Sequence, residues 1–146
     1  MTDISEFPAK GRLLGLDHGL KRIGVAVCDE LQIIARELTI IARQSKQEDF
    51  AKIAKIVQEQ GAQGIVIGIP LDLDRQEGEY TRADTVRLWA ERLREVVGLP
   101  ITFWDEQFSS VDAQDIAKQK KRKPTDPIDD LSARVILQRY LDDKSG

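Results

Sequence analysis

The chain has 146 residues, of which 41% are hydrophobic and 32% charged, a balance typical of one globular domain. No apolar run approaches the roughly 20 residues of a transmembrane helix, and no signal peptide is evident, so we expect a cytoplasmic protein. A single cysteine, Cys28, and a single histidine, His18, exclude a disulfide and metal sites built from several thiolates or imidazoles. The net charge of −3 argues against nucleic-acid binding through overall positive charge.

The first half of the sequence predicts a tail, three strands and a helix. Residues 1–10 show no hydrophobic periodicity, and we expect a loose tail before a single domain over residues 11–143. Strands over 12–17 and 22–27 form a hairpin whose turn lies at His18 and Gly19, and a third strand covers 33–41. Ser45 and Glu48 have the spacing of a capping box and begin a helix that ends at Gly61.

The second half alternates between strands and helices. Residues 64–69 are apolar on both faces, which is typical of a central parallel strand, and a polar loop over 71–80 follows. A helix whose apolar stripe runs from Val86 to Val97 precedes a fifth strand over 101–104. A short helix is predicted from Ser109 to about Lys118, and the last helix begins near Pro127. This order predicts a three-layer α/β domain in which helices flank a mixed five-stranded sheet.

Acidic residues follow two of the predicted strands. Asp17 ends the first strand, and Asp105 and Glu106 follow the fifth. Because the carboxyl ends of neighbouring parallel strands share one edge of an open sheet, we expect these carboxylates to approach each other. Neighbouring residues of a strand point to opposite faces, so the pattern leaves the choice between Asp105 and Glu106 open. The alternative is that these acids simply begin surface loops.

The last helix supplies a third acid. Helical geometry places Asp129 on the apolar face above Ala133 and Ile136, whereas Asp130 lies about 100° away and is spaced to pair with Arg134. A carboxylate turned toward the core needs a cation, because burying it unpaired costs several kcal/mol. Three carboxylates without cysteine or a second histidine favour a hard divalent ion, Mg²⁺ or Mn²⁺, which supports phosphodiester hydrolysis.

Basic residues offer contacts for the phosphates of a nucleic acid. Residues 118–123 contain five cations, a run that predicts either a phosphate-binding patch or a solvated loop. Two further cations, Lys21 and Arg22, follow Asp17 in the hairpin turn. Ser109, which also fits a helix cap, follows the fifth strand. The substrate-binding candidates from these segments are Lys21, Arg22, Ser109, Lys120, Lys121 and Arg122. We expect His18 to lie in a turn without a chemical role, and Trp89 to lie in the core.

Four segments resemble, in order, the motifs of the YqgF proteins, also called RuvX-like and classed as Holliday junction resolvases. They read LDHGLKRIGVA at 16–26, IGIPL at 67–71, WDEQFSS at 104–110, and DDLSA with ILQ at 129–133 and 136–138. The resemblance covers residues 12–142 and implies a ribonuclease H-like fold. It also implies a bacterial or plastid nuclease that matures the 5′ end of precursor 16S ribosomal RNA, hence a role in ribosome biogenesis. Its catalytic and metal-binding acids fall on Asp17, Glu106 and Asp129, which selects Glu106 over Asp105.

Three residues depart from the family pattern. Gln107 stands where arginine is common, Asp72 where asparagine is frequent, and Arg75 where glycine is frequent. An acid at position 72 repels a phosphate, whereas Arg75 attracts one and joins the substrate-binding candidates. We expect these changes to affect substrate binding more than the metal site.

The preferred interpretation is a metal-dependent endonuclease acting on structured RNA or branched DNA, with ribosomal precursor particles as partners and a monomer or homodimer as the assembly. One alternative is a resolvase of four-way DNA junctions, which would act as a dimer. An ATP-binding module is a second, because the hairpin also resembles the phosphate motif of the actin and hexokinase fold, although that fold needs two lobes. A non-catalytic, ribosome-associated RNA-binding factor is the third.

Overall fold

The computed structural model describes residues 7–70, 78–107 and 109–145, with the backbone alone for Ser110. The elements are β1 (Leu13–His18), β2 (Arg22–Cys28), β3 (Ala35–Ala42), α1 (Lys46–Gln60), β4 (Gly64–Ile69), α2 (Arg82–Val97), β5 (Ile101–Asp105), α3 (Ser109–Gln119) and α4 (Asp129–Ser145). The sheet has the order β3-β2-β1-β4-β5, with β1, β4 and β5 parallel and β2 antiparallel to both of its neighbours. This mixed five-stranded sheet with flanking helices confirms the predicted architecture.

Helix boundaries follow from the capping residues. Ser45 accepts a hydrogen bond from the backbone N–H of Glu48 at 3.1 Å, and Gly61 ends α1 in the left-handed conformation with φ of 65°. Helix α2 begins at Arg82 because Thr81 and Asp84 form a reciprocal capping box. The apolar stripe of this helix agrees with the sequence prediction, whereas its first turn was not predicted.

Two local predictions at strand ends are corrected by the structure. Strand β3 begins at Ala35 rather than at residue 33, because the amides of Ile33 and Ile34 donate to Asp29 Oδ1 at 2.8 and 2.9 Å and form a turn. His18 belongs to β1 rather than to the turn, since it pairs with Ile23 across the hairpin. The last helix begins at Asp129, two residues after the predicted position.

The two faces of the sheet carry different layers. Helices α1 and α2 cover one face, where large aliphatic side chains of the strands pack around Phe50, Trp89 and Leu93. Helix α4 covers the other face through Ala133, Ile136, Leu137 and Leu141. Helix α3 then packs on α4, which is therefore buried on two sides; this contact comprises Ala113, Ala117, Leu131 and Val135.

Three strand glycines allow α4 to lie directly on the sheet. A Cβ atom on Gly24 would lie 1.8 Å from the carbonyl oxygen of Asp129, and one on Gly68 would lie 2.4 Å from Ile136 Cδ1. A Cβ atom on Gly15 would lie 2.8 Å from Leu137 Cβ. Any side chain at Gly24 would therefore push the first turn of α4 away from β2.

The N-terminal residues that the structure describes contact α4. Phe7 packs edge-to-face against Tyr140, with ring centroids 5.7 Å apart, and the carbonyl of Ala9 accepts a hydrogen bond from Lys144. Residues 1–6 of the predicted tail lie outside the described residues, as do 71–77 with Asp72 and Arg75. In the parts of the chain that are described, no helix is long and apolar enough to cross a bilayer.

Candidate active site

Asp17 and Glu106 lie at the carboxyl edge of the sheet, on the face covered by α4. Asp17 is paired with Gly24, the residue on which α4 is seated. Trp104 of β5 contacts Tyr140 of α4, so Glu106, two residues further on, follows the same face. A Cβ atom on Gly68 would lie 3.3 Å from Glu106 Oε2, which places this carboxylate above β4.

Asp129 reaches the same edge from the first turn of α4. Its Oδ2 accepts a hydrogen bond of 2.8 Å from Arg22 Nε, and its side chain is 20% exposed. Its Oδ1 lies 3.7 Å from where a Cβ atom on Gly19 would be, so the carboxylate lies over the β1–β2 turn. In this structure, the cation that the inward position of Asp129 requires is the guanidinium of Arg22.

The pKa of Asp17 is affected by the charges of the other two acids. The pKa of Asp17 is raised to about 7, mainly by burial and also by the negative charges of Glu106 and Asp129, while the charge of Arg82 opposes the rise. Burial also raises the pKa of Glu106, again against the charge of Arg82. The site therefore holds carboxylates whose ionised forms are destabilised by burial and, at Asp17, by each other's charge.

Arg82 is a component of this site that the sequence pattern did not predict. It is the first residue of α2, and its guanidinium donates a hydrogen bond to the carbonyl oxygen of His18 at the end of β1. Its charge lowers the pKa of both Asp17 and Glu106. The signal in the sequence was the Thr81–Asp84 capping box, which fixes where α2 begins.

The donor set suits a hard divalent cation, because it consists of carboxylate oxygens and its repulsion would be relieved by positive charge. Within the described residues, however, no three Asp, Glu, His or Cys side chains are placed so that they would ligate one ion as they stand. Arg22 holds one oxygen of Asp129 in this arrangement. The donor chemistry fits a metal ion, and ligation by all three acids requires side-chain movement.

The predicted ion pair between Asp130 and Arg134 is wrong. Asp130 is only 7% exposed and accepts two hydrogen bonds from Arg122, at 2.8 and 3.0 Å. Arg134 instead contacts Glu37 of β3 at 3.2 Å. The reason is that α4 is covered by α3 as well as by the sheet, and a nearly buried carboxylate is best met by a bidentate guanidinium.

The other substrate-binding candidates are dispersed. Lys21 and Lys121 are exposed, Ser109 is 5% exposed at the start of α3, and Arg75 lies outside the described residues. Lys120 forms an ion pair of 2.9 Å with Glu37, and Arg122 is bound to Asp130. Among the candidates that the structure describes, Arg22 contacts one of the three acids, Asp129.

His18 lies on the opposite face of the sheet from Asp17. Its ring packs on Trp89 with centroids 4.6 Å apart, and burial, aided by Arg43 and Arg82, lowers its pKa to about 4. Neither of its ring nitrogens, nor Trp89 Nε1, has a hydrogen-bond partner among the described residues. The imidazole is therefore neutral near pH 7 and lies in the core. Trp89 also lies in the core, as predicted.

The comparisons with known proteins agree with the motifs. The profile of the RuvX family, described as Holliday junction resolvase, matches residues 11–143. A relative from Syntrophus aciditrophicus is 42% identical over 134 residues, covering 90% of this chain and 88% of its own length. One from Thermosynechococcus vestitus is 40% identical over 136 residues, covering 91% and 89%. Both carry the name "Putative pre-16S rRNA nuclease".

Solved structures show the same fold at low sequence identity. RuvC of T. thermophilus, in complex with a Holliday junction, has a TM-score of 0.57 at 13% identity and covers 92% of this chain and 96% of its own. The fowlpox virus resolvase, in complex with Holliday junction DNA, has a TM-score of 0.58 at 11% identity, with coverage of 92% and 99%. The predicted ribonuclease H-like fold and the predicted family are thereby confirmed, and the chain belongs to the RuvX family.

Proposed function

We propose that this protein is a nuclease that hydrolyses phosphodiester bonds during 5′-end maturation of precursor 16S ribosomal RNA. One observation carries the proposal: Asp17, Glu106 and Asp129 share one face of the sheet edge, and the pKa of Asp17 is raised to about 7 by burial and, less strongly, by the negative charges of Glu106 and Asp129. Such repulsion between carboxylates is costly unless a ligand relieves it. Its presence at the carboxyl edge, where α/β sheets bind ligands, favours a catalytic site.

The same three acids are the proposed ligands of Mg²⁺ or Mn²⁺. When bound, such an ion stabilises the negative charge on the attacking and leaving oxygens of a phosphodiester. Arg22 bonds to one carboxylate oxygen of Asp129, so the other oxygen remains for a ligand or Arg22 moves aside. Arg82 compensates part of the charge on Asp17 and Glu106 and holds the end of β1 through the His18 carbonyl.

Arg22 and Lys21 are the cations proposed to receive the scissile phosphate. Both are exposed, and Arg22 contacts Asp129, so a phosphate at the guanidinium would lie next to the acids. Exchange of the Asp129 carboxylate for a phosphate oxygen keeps Arg22 paired, because guanidinium binds both groups bidentately. The turn thus provides positive charge on the solvent side of an acidic site.

The substrate assignment rests on the relatives. Those reported above are bacterial proteins named for precursor 16S ribosomal RNA, and they match about nine-tenths of this chain. Bacterial ribosomal precursors lie in the cytoplasm, which is where we place the reaction, with precursor particles as the partner. An RNA substrate with paired and unpaired segments is the expected ligand, bound by a monomer or a homodimer.

The test is cleavage of an end-labelled precursor rRNA fragment with and without Mg²⁺. We expect Asp17→Asn and Glu106→Gln each to lower the rate by at least about 10²-fold, since each removes a proposed ligand of the metal ion that would stabilise charge on the reacting phosphate. Asp105→Asn is the matched control, because it neutralises the neighbouring acid on the other side of β5 and leaves the rate nearly unchanged. Equal losses at Glu106 and Asp105, or unaltered cleavage by Asp17→Asn, would contradict the assignment.

The family description keeps junction resolution as the second candidate. Running a four-way DNA junction beside the rRNA fragment distinguishes the two, with gel filtration to measure the oligomeric state. Faster, Asp17-dependent cutting of the junction by a dimer would replace the rRNA assignment. Binding of RNA without Asp17-dependent cleavage of either substrate would indicate a non-catalytic RNA-binding factor.

A further inference from the structure

A cleft opens beside Asp129, between the end of α3 and the loop that leads to α4. Its volume is ≈ 540 Å³, within the range of about 300–1,000 Å³ typical of ligand pockets. Arg22 and Asp129 line it on the side of the acids, and Lys118 and Lys123 line it from α3 and the loop. The cleft is therefore continuous with the candidate active site and is partly walled by the basic run of residues 118–123.

Two cations of this basic run have structural partners. Lys120 Nζ lies 2.9 Å from Glu37 Oε2, which ties the end of α3 to β3. Both Nη atoms of Arg122 donate hydrogen bonds to Asp130, and Nη1 also donates one to the carbonyl of Pro127. Arg122 therefore fixes the loop to the start of α4. The charges of Lys120 and Arg122 are therefore compensated by carboxylates.

The remaining lysines of the run differ in position. Lys118 and Lys123 are exposed, line the cleft, and form no ion pair within the described residues. Asp126 also lines the cleft, and its carboxylate accepts the backbone N–H of Lys123 at 2.7 Å. Lys121 is equally exposed but does not line the cleft, because the chain turns there with a φ of 60°.

We propose that this cleft binds the phosphodiester backbone of the substrate strand next to the scissile phosphate, with Lys118 and Lys123 as the cations that contact it. The proposal rests on the proposed nuclease function and names the residues that hold its substrate. A strand leaving the three acids needs compensating charge, and the two cleft lysines supply the nearest positive charge in the run that carboxylates have not neutralised. Lys120 and Arg122 then serve the fold rather than the substrate.

Binding of a fluorescein-labelled single-stranded RNA, measured by anisotropy in EDTA between 50 and 200 mM salt, tests this division. Each lost phosphate contact lowers the slope of log affinity against log salt by about 0.7. The double variant Lys118→Gln with Lys123→Gln is expected to lower the slope by about 1.4 and to bind roughly 10- to 100-fold more weakly at 50 mM salt.

The controls remove the same charge elsewhere in the run. Lys121→Gln is expected to keep the wild-type slope, and Lys120→Gln to keep the slope while lowering the melting temperature, since it breaks the contact with Glu37. A slope reduced as much by Lys121→Gln as by Lys118→Gln or Lys123→Gln alone would overturn the proposal, because the effect would then be one of overall charge. An unchanged slope in the double variant would overturn it as well.

Two further outcomes distinguish this proposal from the proposed nuclease function and from binding of a small ligand. Wild-type protein that binds neither RNA nor a DNA junction would overturn the proposed nuclease function itself, whereas tight binding with an intact double-variant slope overturns the cleft assignment alone. Competition with a nucleoside monophosphate distinguishes a strand from a small ligand. We expect the monophosphate not to displace the labelled RNA at concentrations where unlabelled RNA does, and displacement would contradict a strand-binding cleft.

Discussion

The two faces of the sheet are built for different tasks. The face under α1 and α2 presents large buried side chains such as Leu16, Val25 and Ile67, which fill the space beneath Trp89. The face under α4 replaces several of these with Gly15, Gly24 and Gly68, so that the helix backbone lies directly on the strands. Neighbouring residues of one strand therefore serve a hydrophobic core on one side and a charged site on the other.

The difference shows how the fold accommodates destabilising charges. Close seating of α4 brings Asp129 to the sheet edge, next to Asp17 and Glu106, where burial and repulsion raise the pKa of Asp17. The opposite face gains stability from buried apolar area at about 25 cal/mol per Å². We expect substitutions on the α1/α2 face to change stability alone, and substitutions on the α4 face to change stability and activity together.

The largest effect is expected from Gly24→Ala. The new Cβ would lie 1.8 Å from the carbonyl oxygen of Asp129, a backbone atom that moves only if α4 moves. We expect a loss of more than about 3 kcal/mol of unfolding free energy and loss of cleavage by the folded fraction. Urea denaturation and single-turnover cleavage measure the two quantities.

Gly64→Ala is the matched control, because the three atoms nearest to its Cβ would be side-chain atoms of Phe7 and Leu13 at 3.1–3.2 Å. Side chains adjust where backbone does not, so a cost below about 1 kcal/mol is expected. Equal stabilities of the two variants would mean that α4 does not rest on Gly24.

Leu93→Ala tests the other face. Leu93 is fully buried in the layer formed by α1 and α2, and its truncation is expected to cost about 3 kcal/mol through lost contacts and a cavity. Cleavage per folded molecule should stay at the wild-type level, because this side chain lies under the face opposite the acids. A rate that falls while the protein remains folded would show that the two faces are coupled.

The contrast between the faces also explains how far the sequence predicts the structure. Period-two and period-3.6 patterns identify the strands and helices, and the inward position of Asp129 follows from helical geometry. The ion pair of Asp130 with Arg122 could not be predicted from helical geometry. Helix α4 is buried by the sheet on one side and by α3 on another, so a single apolar stripe gives the wrong exposure for the residues of α4. Strand periodicity left the choice between Glu106 and Asp105 open and the family resemblance selected Glu106, whereas the contact of Trp104 with Tyr140 places Glu106 on the face under α4.

An effect of similar size, with a definite pH dependence, is expected from Asp17→Asn. In the folded protein the pKa of Asp17 is raised to about 7, from a value near 3.8, by burial and by the charges of Glu106 and Asp129. The folded state thus holds the proton more tightly, and wild-type stability falls as pH rises from about 4 through 7. At pH 8 in EDTA the variant should be about 4 kcal/mol more stable, and near pH 4 the gain should vanish.

Thermal melts across this pH range, with and without Mg²⁺, check the prediction. Mg²⁺ is expected to raise the melting temperature of the wild type and not that of Asp17→Asn, since the ion relieves the repulsion that the variant has already removed. A variant less stable than wild type at pH 8 would contradict the electrostatic account of the site.

The smallest effect, of opposite sign, is expected one residue further along the chain. Burial, Arg43 and Arg82 lower the pKa of His18 to about 4 from 6.5, so the unfolded chain binds the proton more tightly. This residue therefore favours the folded state above pH 6.5, and that stability is lost as pH falls toward 4, by about 2 kcal/mol at pH 5. His18→Phe keeps the ring contact with Trp89 and removes the loss.

Protonation of Asp17 stabilises the folded state over the same pH interval, so the stability of the wild type should vary little between pH 7 and 5. His18→Phe should become more stable on acidification, and Asp17→Asn should become less stable. Parallel denaturation curves for all three proteins would refute this opposition between adjacent residues on opposite faces.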